Sequence, residues 1–242
     1  MSRLRKLIAR IEIAAVALCA AVLVVIVIVQ EHRRLLRREA DLLCGAIHTR
    51  PWDMVESLLA TKPAAVNTRD SWGRTALHWA VHYGHYDLAE TLLAKGADPG
   101  VRDWLGYTPL HLAVRKGKNR FVKLLLAHGA DVNARSYWGW TPLATSCLGR
   151  NPKTAELLLA AGADPNARLP HGTSALHLAA GAGPPSLVIA LLDHGAQVNV
   201  KDRQGRTALD MASRSGRKDV ADMLRQEGGL PGGELQGSTT HQ

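Results

Sequence analysis

Three histidines close together on the chain are the first residues whose type and spacing could do chemistry. His78, His82 and His85 lie on one short stretch, and residues four apart share a face of a helix. Imidazoles in this arrangement could hold a transition metal. No carboxylate or thiolate stands in an obvious register with His82 and His85, and His78 belongs to a repeated column described below. A structural role is therefore favoured, with a metal-binding or enzymatic site at His82 and His85 as an alternative of another class.

The rest of the sequence carries no motif typical of catalysis. It has no G-x-S-x-G, no glycine-rich phosphate-binding loop and no H-E-x-x-H. Its cysteines, Cys19, Cys44 and Cys147, are too few for a disulfide framework and lack metal-ligand spacing. Cys44 and Cys147 fall at inward-facing helix positions, where cysteine behaves as a small apolar residue. We therefore expect no catalytic residue, no metal, no cofactor and no small-molecule substrate.

A period of 33 residues organises most of the chain. The tetrapeptide Thr75-Ala76-Leu77-His78 recurs in related form at this interval, beginning at Thr108, Thr141, Ser174 and Thr207. A glycine precedes each of these positions by two residues, and a Leu-Leu pair follows in four of the units. Thr or Ser suits a helix N-cap, and Pro109 and Pro142 suit a first helical turn. Each unit is thus predicted to be a helix–turn–helix that buries its apolar face only by stacking on neighbours.

The best-formed unit, residues 103–135, reads D-W-L-G-Y-T-P-L-H-L-A-V through G-A-D-V-N-A-R, and it resembles the ankyrin repeat family. The resemblance covers residues 40–229. It implies an all-α solenoid with β-hairpin-like tips, in which the T-P-L-H histidines bond within the scaffold between repeats. The expected organisation is a cap at 40–69, repeats at 70–102, 103–135, 136–168, 169–201 and 202–229, and a disordered tail at 230–242.

Two units depart from the repeat pattern. The third has Ala144 in the histidine column and Arg150 where other first helices end in glycine, and the fourth has Gly183-Pro184-Pro185. We therefore predict a locally unstable middle of the array, with the fastest hydrogen exchange in residues 144–186.

An apolar segment precedes the repeats. Residues 13–29 contain no charged side chain, and a helix over residues 11–30 would be about 30 Å long, the thickness of a bilayer core. We expect a single transmembrane helix at 11–30 that contacts the lipid bilayer, between a basic tail at 1–10 and a basic juxtamembrane segment at 31–39. The alternatives are a buried core helix and a cleaved signal peptide, which would release a soluble secreted or periplasmic module.

The charge distribution bears on the partner class and on membrane orientation. The formal net charge is +9, and its excess is concentrated in the first 50 residues around the apolar segment. This distribution of charge favours a membrane over nucleic acid as the partner of the basic residues. Lys and Arg are equally frequent on both sides of the segment. A short basic N-terminal tail favours a cytoplasmic N-terminus with the repeats on the outer side, whereas the Arg33–Arg38 cluster favours the reverse.

The resemblance also implies a binding surface, because residues beside the tip glycine of such repeats project into solvent and contact partners. Aromatic and basic residues are concentrated there in the first three repeats, and first-helix residues are expected on the same concave side. The candidates are Trp72, Arg74, His82, Tyr83, Trp104, Leu105, Tyr107, Arg115, Lys116, Tyr137, Trp138 and Trp140.

Two structural explanations compete with this binding surface. Some aromatics could pack against neighbouring tips, although Trp72, Trp104 and Trp138 are hard to explain in this way. The basic run from Arg115 to Lys123 could be an ordinary solvated face. We expect a membrane-anchored protein that binds an unidentified protein or peptide, and no nucleic acid, through the concave Trp/Tyr/Arg-rich face.

Overall fold

The computed structural model describes residues 29–31, 60–61 and 63–236. The predicted basic tail, nearly all of the predicted transmembrane helix and juxtamembrane segment, and most of the predicted cap at 40–69 lie outside these residues. Within the described ranges, none of the helices combines the length and apolarity that a bilayer crossing requires.

Five units follow one another, and each contributes two short helices. They are α1 (Ala76–Tyr83) and α2 (Tyr86–Ala94), α3 (Pro109–Arg115) and α4 (Asn119–Ala127), α5 (Pro142–Leu148) and α6 (Pro152–Ala160), α7 (Ala175–Ala182) and α8 (Pro185–Asp193), and α9 (Ala208–Arg214) and α10 (Lys218–Gln226). Each first helix contacts its own second helix and the first helix of the next unit. Short 3-10 helices span Pro63–Asn67, Pro170–Gly172 and Glu234–Gln236, and no strand is assigned in the described part of the chain.

The predicted helix signals act as expected at the start of the first helices. The Thr108 hydroxyl accepts a hydrogen bond from the backbone N–H of His111, and the Thr141 hydroxyl accepts one from Ala144. These bonds satisfy amides that have no partner within the first helical turn. Pro109 and Pro142 occupy the first helical positions, where a missing N–H costs nothing.

The core is a row of leucines that repeats with the sequence period. Fully buried leucines from the first helices are Leu77, Leu110, Leu143 and Leu176, and those from the second helices include Leu92, Leu125, Leu158, Leu191 and Leu224. Burial of one leucine contributes about 2 kcal/mol to folding. Because these side chains are covered only when units stack, stability arises between repeats rather than within them.

The chain after the last repeat is ordered as far as Gln236, whereas a disordered tail was predicted from residue 230. The Leu230 N–H donates to Asn199 Oδ1 at 2.8 Å, and the Gly232 N–H donates to Asp210 Oδ2 at 2.8 Å. Asp210 occupies the position that is histidine in three of the other repeats. Its carboxylate accepts the hydrogen bond from the Gly232 N–H, whereas each of those histidines donates a hydrogen bond to a backbone carbonyl. The final repeat is thereby closed by the tail. Residues 237–242 lie outside the described residues.

The junction between the third and fourth repeats lacks three kinds of hydrogen bond that link neighbouring repeats. At the other junctions a histidine bridges to the next repeat and a tip amide bonds the preceding tip, and at two of them a Lys or Arg side chain bonds the end of the preceding first helix. At this junction the corresponding residues are Ala144, Pro170 and Pro184, none of which carries the required donor. Arg150 also adopts a left-handed φ of 54°, which glycine adopts at Gly84, Gly117 and Gly216.

We predict that amides in residues 144–186 exchange at least about tenfold faster than equivalent amides of the second repeat, because each missing bond lowers local stability by about 1 kcal/mol. Native-state hydrogen exchange followed by mass spectrometry measures this difference. Ala144→His restores the bridge and should slow exchange at the junction. Uniform protection across repeats two to four would contradict the prediction.

Candidate binding surface

Each repeat begins with a tight turn, here called a hairpin turn: residues 70–74, 103–107, 136–140, 169–173 and 202–206. In the second of these turns, Asp103 Oδ1 accepts hydrogen bonds from the N–H groups of Leu105 and Tyr107, both at 2.9 Å. Asp70 and Asp202 do the same in their own turns. These buried carboxylates hold the turn backbone from inside, so the side chains at its apex point outward.

The apex residues of neighbouring hairpin turns lie next to one another. The Trp104 N–H donates to the Trp72 carbonyl, and the Tyr137 N–H donates to the Leu105 carbonyl, both at 3.1 Å. Trp72, Trp104, Leu105, Tyr137 and Trp138 are all exposed, with Trp72 at 62% and Trp138 at 64%. The predicted tip aromatics of the first three repeats are thus brought into one continuous row.

Two of these aromatics also pack on the scaffold. A Cβ added at Gly73 would lie 2.5 Å from Trp104 Cδ1, and one at Gly106 would lie 2.9 Å from Tyr137 Cγ. Trp104 and Tyr137 therefore lie across the glycine of the preceding turn. Trp104, for which the sequence made a scaffold role hard to explain, thus packs on the neighbouring turn and is also exposed.

The repeated histidines are bound on both ring nitrogens. His78 Nδ1 accepts from the Thr75 N–H at 3.1 Å, and His78 Nε2 donates to the Tyr107 carbonyl of the next repeat at 3.2 Å. His111 makes the same pair of bonds with Thr108 and Trp140. Because Nδ1 accepts a hydrogen bond from an N–H group while Nε2 donates to a carbonyl, these histidines are neutral scaffold groups, as the structural interpretation of the column predicts.

His82 and Tyr83 belong to an aromatic cluster centred on Trp79. The Trp79 ring stacks on Tyr83 at 5.7 Å and meets the edge of His82 at 5.6 Å, and the Arg74 guanidinium lies 5.0 Å from its centre. The Trp79 Nε1–H donates to Asp70 Oδ2 at 2.7 Å. Partial burial lowers the pKa of His82, and the nearby Lys116, Arg74, Lys118 and Arg115 lower it further. In the described ranges, His, Cys, Asp and Glu form no group of three that could hold a metal.

The basic residues of the second repeat between Arg115 and Lys123 fall into two groups: some bond or pack within the scaffold, and others are exposed to solvent. Lys118 Nζ donates to the carbonyls of Val81 and His82 at the end of α1, and Arg120 lies 4.1 Å from the centre of the Tyr86 ring. Arg115 and Lys116 are exposed at the end of α3. Arg115 lies 5.8 Å from the centre of the Tyr107 ring, next to the hairpin turns.

A pocket of about 330 Å³ opens between the hairpin turns and first helices of repeats two and three. Its walls include Tyr107, Leu112, Trp140 and Leu148, with Arg115 at its side and His78 and His111 also lining it. Leu148 is 64% exposed. A second pocket, of about 500 Å³, adjoins it between Trp138, Trp140, His171 and Arg206.

The predicted residues therefore share one surface, here called the inner face, formed by the hairpin turns and first helices of repeats one to three. Sequence reasoning missed Trp79, Leu112 and Leu148 on this face. Trp79 and Leu112 lie 33 residues apart, at the same position of the first helix in successive repeats, and this shared position is the sequence signal that could have identified them. Leu148 occupies the column of His82 and Arg115, both of which were predicted.

Cys147 lies on the buried side of α5, and burial raises the pKa of its thiol to about 12. The thiol is therefore protonated at neutral pH and acts as a small apolar core group. Cys44 lies outside the described residues.

Family models of ankyrin repeats match three overlapping stretches, residues 72–104, 101–169 and 158–212. The chain belongs to the ankyrin repeat family. None of the matching models describes a catalytic family. Ankyrin repeats are protein-interaction modules, so family membership implies binding to another protein.

The relatives found among known proteins match over short stretches only. The chain is 36% identical over 68 residues to human "Ankyrin repeat domain-containing protein 49", which is 28% of each chain. It is 50% identical over 46 residues to Arabidopsis thaliana "Acyl-CoA-binding domain-containing protein 2", covering 18% of this chain and 13% of that protein. The match to the Arabidopsis "Acyl-CoA-binding domain-containing protein 1" is 59% over 32 residues, or 13% and 10%. Each alignment thus spans less than a third of the relative.

The neutral histidines predict a loss of stability in mild acid. Burial lowers the pKa of His78 and of His111 from 6.5 to about 4, against the opposing effect of their bonds to carbonyls. Since the unfolded chain binds protons first, stability is complete above pH 6.5 and is lost as pH falls toward 4, by roughly 1 kcal/mol per pH unit for each histidine.

Urea unfolding between pH 7.5 and pH 5 measures this loss, in a range above the ordinary pKa of carboxyl groups. His128→Asn, a change at an exposed position outside the repeated column, is the control variant. A free energy of unfolding that stays constant from pH 7.5 to pH 5 would contradict the scaffold role of the histidines.

Proposed function

We propose that the inner face of the first three repeats is the surface through which this ankyrin repeat protein binds a protein or peptide. The proposal rests on one observation: the scaffold side chains and the candidate binding side chains differ in what they contact. Asp70, Asp103, His78 and His111 have their polar atoms bonded within the fold. Trp72, Leu105, Trp138 and Leu148 are large apolar groups that face water. Leu148 lines the first pocket and Trp138 lines the second.

Exposed tryptophan next to arginine is typical of the residues that carry most of the binding energy in protein interfaces. Such groups are costly to leave in water and inexpensive to immobilise, because an indole has only two rotatable side-chain bonds. Their concentration in one row, rather than scattered over the surface, indicates an interaction site.

We also propose that residues 11–30 anchor the protein in a membrane as a single span, with the N-terminus in the cytoplasm and the repeats on the outer side. The proposal rests on sequence alone: an uncharged apolar run over residues 13–29 with basic flanks. The alternative is a cleaved leader and a soluble repeat module.

A reporter active on only one side of the membrane, fused after Gln242, tests both orientation and anchoring. We expect activity on the outer side together with recovery of the product in the membrane fraction. Reporter activity only on the cytoplasmic side would show that the orientation is the reverse of the one proposed. A soluble product that lacks Met1 would show that the segment is a cleaved leader and not an anchor.

Trp138→Ala is expected to weaken partner binding at least about tenfold and to change the free energy of unfolding by no more than about 0.5 kcal/mol. The reason is that the indole is exposed beside the second pocket. Photo-crosslinking from residue 105 in native cells, followed by quantification of the crosslinked protein with and without the substitution, measures binding.

Ile189→Ala is the matched control, since Ile189 is also an exposed large apolar residue but lies on the second helix α8. It should leave crosslinking unchanged. Equal crosslinking in the Trp138 variant and the original chain, or loss of the fold in that variant, would count against the inner face as the binding surface.

A further inference from the structure

Carboxylates are unevenly distributed between the two sides of the first three repeats. The inner face, taken as residues 69–84, 102–117 and 135–150, carries the cations Arg69, Arg74, Arg102, Arg115, Lys116, Arg135 and Arg150. Its carboxylates are Asp70 and Asp103. Both are buried and accept hydrogen bonds from the amides of their own turns.

The other carboxylates of these repeats lie on the second helices and the loops that follow them. They are Asp87, Glu90, Asp98, Asp131, Glu156 and Asp164. Three inner-face cations are also committed to the scaffold, because Arg69, Arg102 and Arg135 each donate to the backbone carbonyl 33 residues further on. The exposed cations left for a ligand include Arg115 and Lys116, whereas Arg74 is only partly exposed and its Nε lies 3.8 Å from Asp103 Oδ2.

These cations lie beside apolar surface. Arg115 lines the pocket formed by Leu112, Trp140 and Leu148, and its guanidinium lies over the Tyr107 ring. Arg74 lies over the Trp79 ring. A cation held on an aromatic face still has its outward N–H groups free to bind a carboxylate.

We propose that the partner presents a short acidic segment with one large apolar side chain. The apolar side chain enters the pocket of repeats two and three, and neighbouring carboxylates of the partner bind Arg115 and Lys116. This inference rests on the proposed function and specifies the chemistry of the partner. The pocket, about 330 Å³, is large enough for a leucine or phenylalanine side chain.

The pocket favours a peptide over the other polyanions that a basic face could attract. A phosphate backbone or a lipid headgroup layer would meet the same cations but would place charged or hydrated groups over Leu112 and Leu148. The apolar walls would then lose water without gaining an apolar contact. A peptide satisfies both parts of the surface at once.

Random-peptide display on the full-length chain tests the proposal without knowledge of the partner. Peptides are selected on the original chain and counter-selected on the variant Leu148→Asp/Arg115→Glu/Lys116→Glu, in which all three changed side chains are exposed. We expect the enriched peptides to combine Asp or Glu with a Leu, Phe or Trp. Enrichment of neutral or basic peptides would overturn this inference and leave the inner face as the binding surface. No enrichment against the variant would count against both.

The best synthetic peptide is then titrated by fluorescence anisotropy. Replacing its acids by amides, replacing its apolar residue by Ala, or changing Arg115 and Lys116 to Glu should each weaken binding at least about tenfold, and added salt should weaken it further. Lys123→Glu/Lys153→Glu alters net charge equally on exposed second-helix positions and should leave binding unchanged.

Phosphatidylserine vesicles and single-stranded DNA serve as competing probes. Either one binding more tightly than the peptide, with loss of that binding in the Arg115/Lys116 variant but not in the Leu148→Asp variant, would overturn the proposal in favour of a membrane surface or a nucleic acid.

Discussion

No repeat in this protein can bury its own leucines, and the rest of the structure follows from that constraint. The leucines spaced 33 residues apart leave water only when the next helix pair covers them. The polar bonds between repeats must therefore hold neighbours in register without drawing water into the core. The histidine bridges meet this requirement, since each ring bonds its own turn with one nitrogen and the neighbouring turn with the other.

Once the scaffold bonds are assigned, the inner face is defined by what remains. The buried carboxylates, the repeated histidines and the arginines of the 69, 102 and 135 column each bond backbone groups inside the array. Because these groups leave few polar atoms unused, the exposed indoles of Trp72 and Trp138, the Leu148 side chain and the cations Arg115 and Lys116 remain available on the surface. The poorly linked junction of repeats three and four adjoins this surface at Pro170, which lines the second pocket.

Much of the fold could be predicted from the sequence because the repeat multiplies weak signals. One Thr-x-Leu-His tetrapeptide says little, but its return at a constant interval indicates helix starts, core leucines and turn glycines together. The row of aromatic residues at the hairpin turns was predictable for the same reason. Trp104 as a packing residue was not, because its contact depends on the space above Gly73 in the neighbouring turn. The contact of residues 230–236 with the last repeat was not predictable either, since it depends on a hydrogen bond from the Gly232 N–H to Asp210, 22 residues earlier in the chain.

The central claim is that partners bind the inner face, and amide and indole NMR shift mapping tests it most directly. A peptide selected on the chain is added to isotope-labelled protein, and every resonance is followed. The account predicts the largest shifts in the hairpin turns and first helices of repeats one to three, including the indole N–H groups of Trp138 and Trp140. Largest shifts on the second helices, or in repeats four and five, would contradict it.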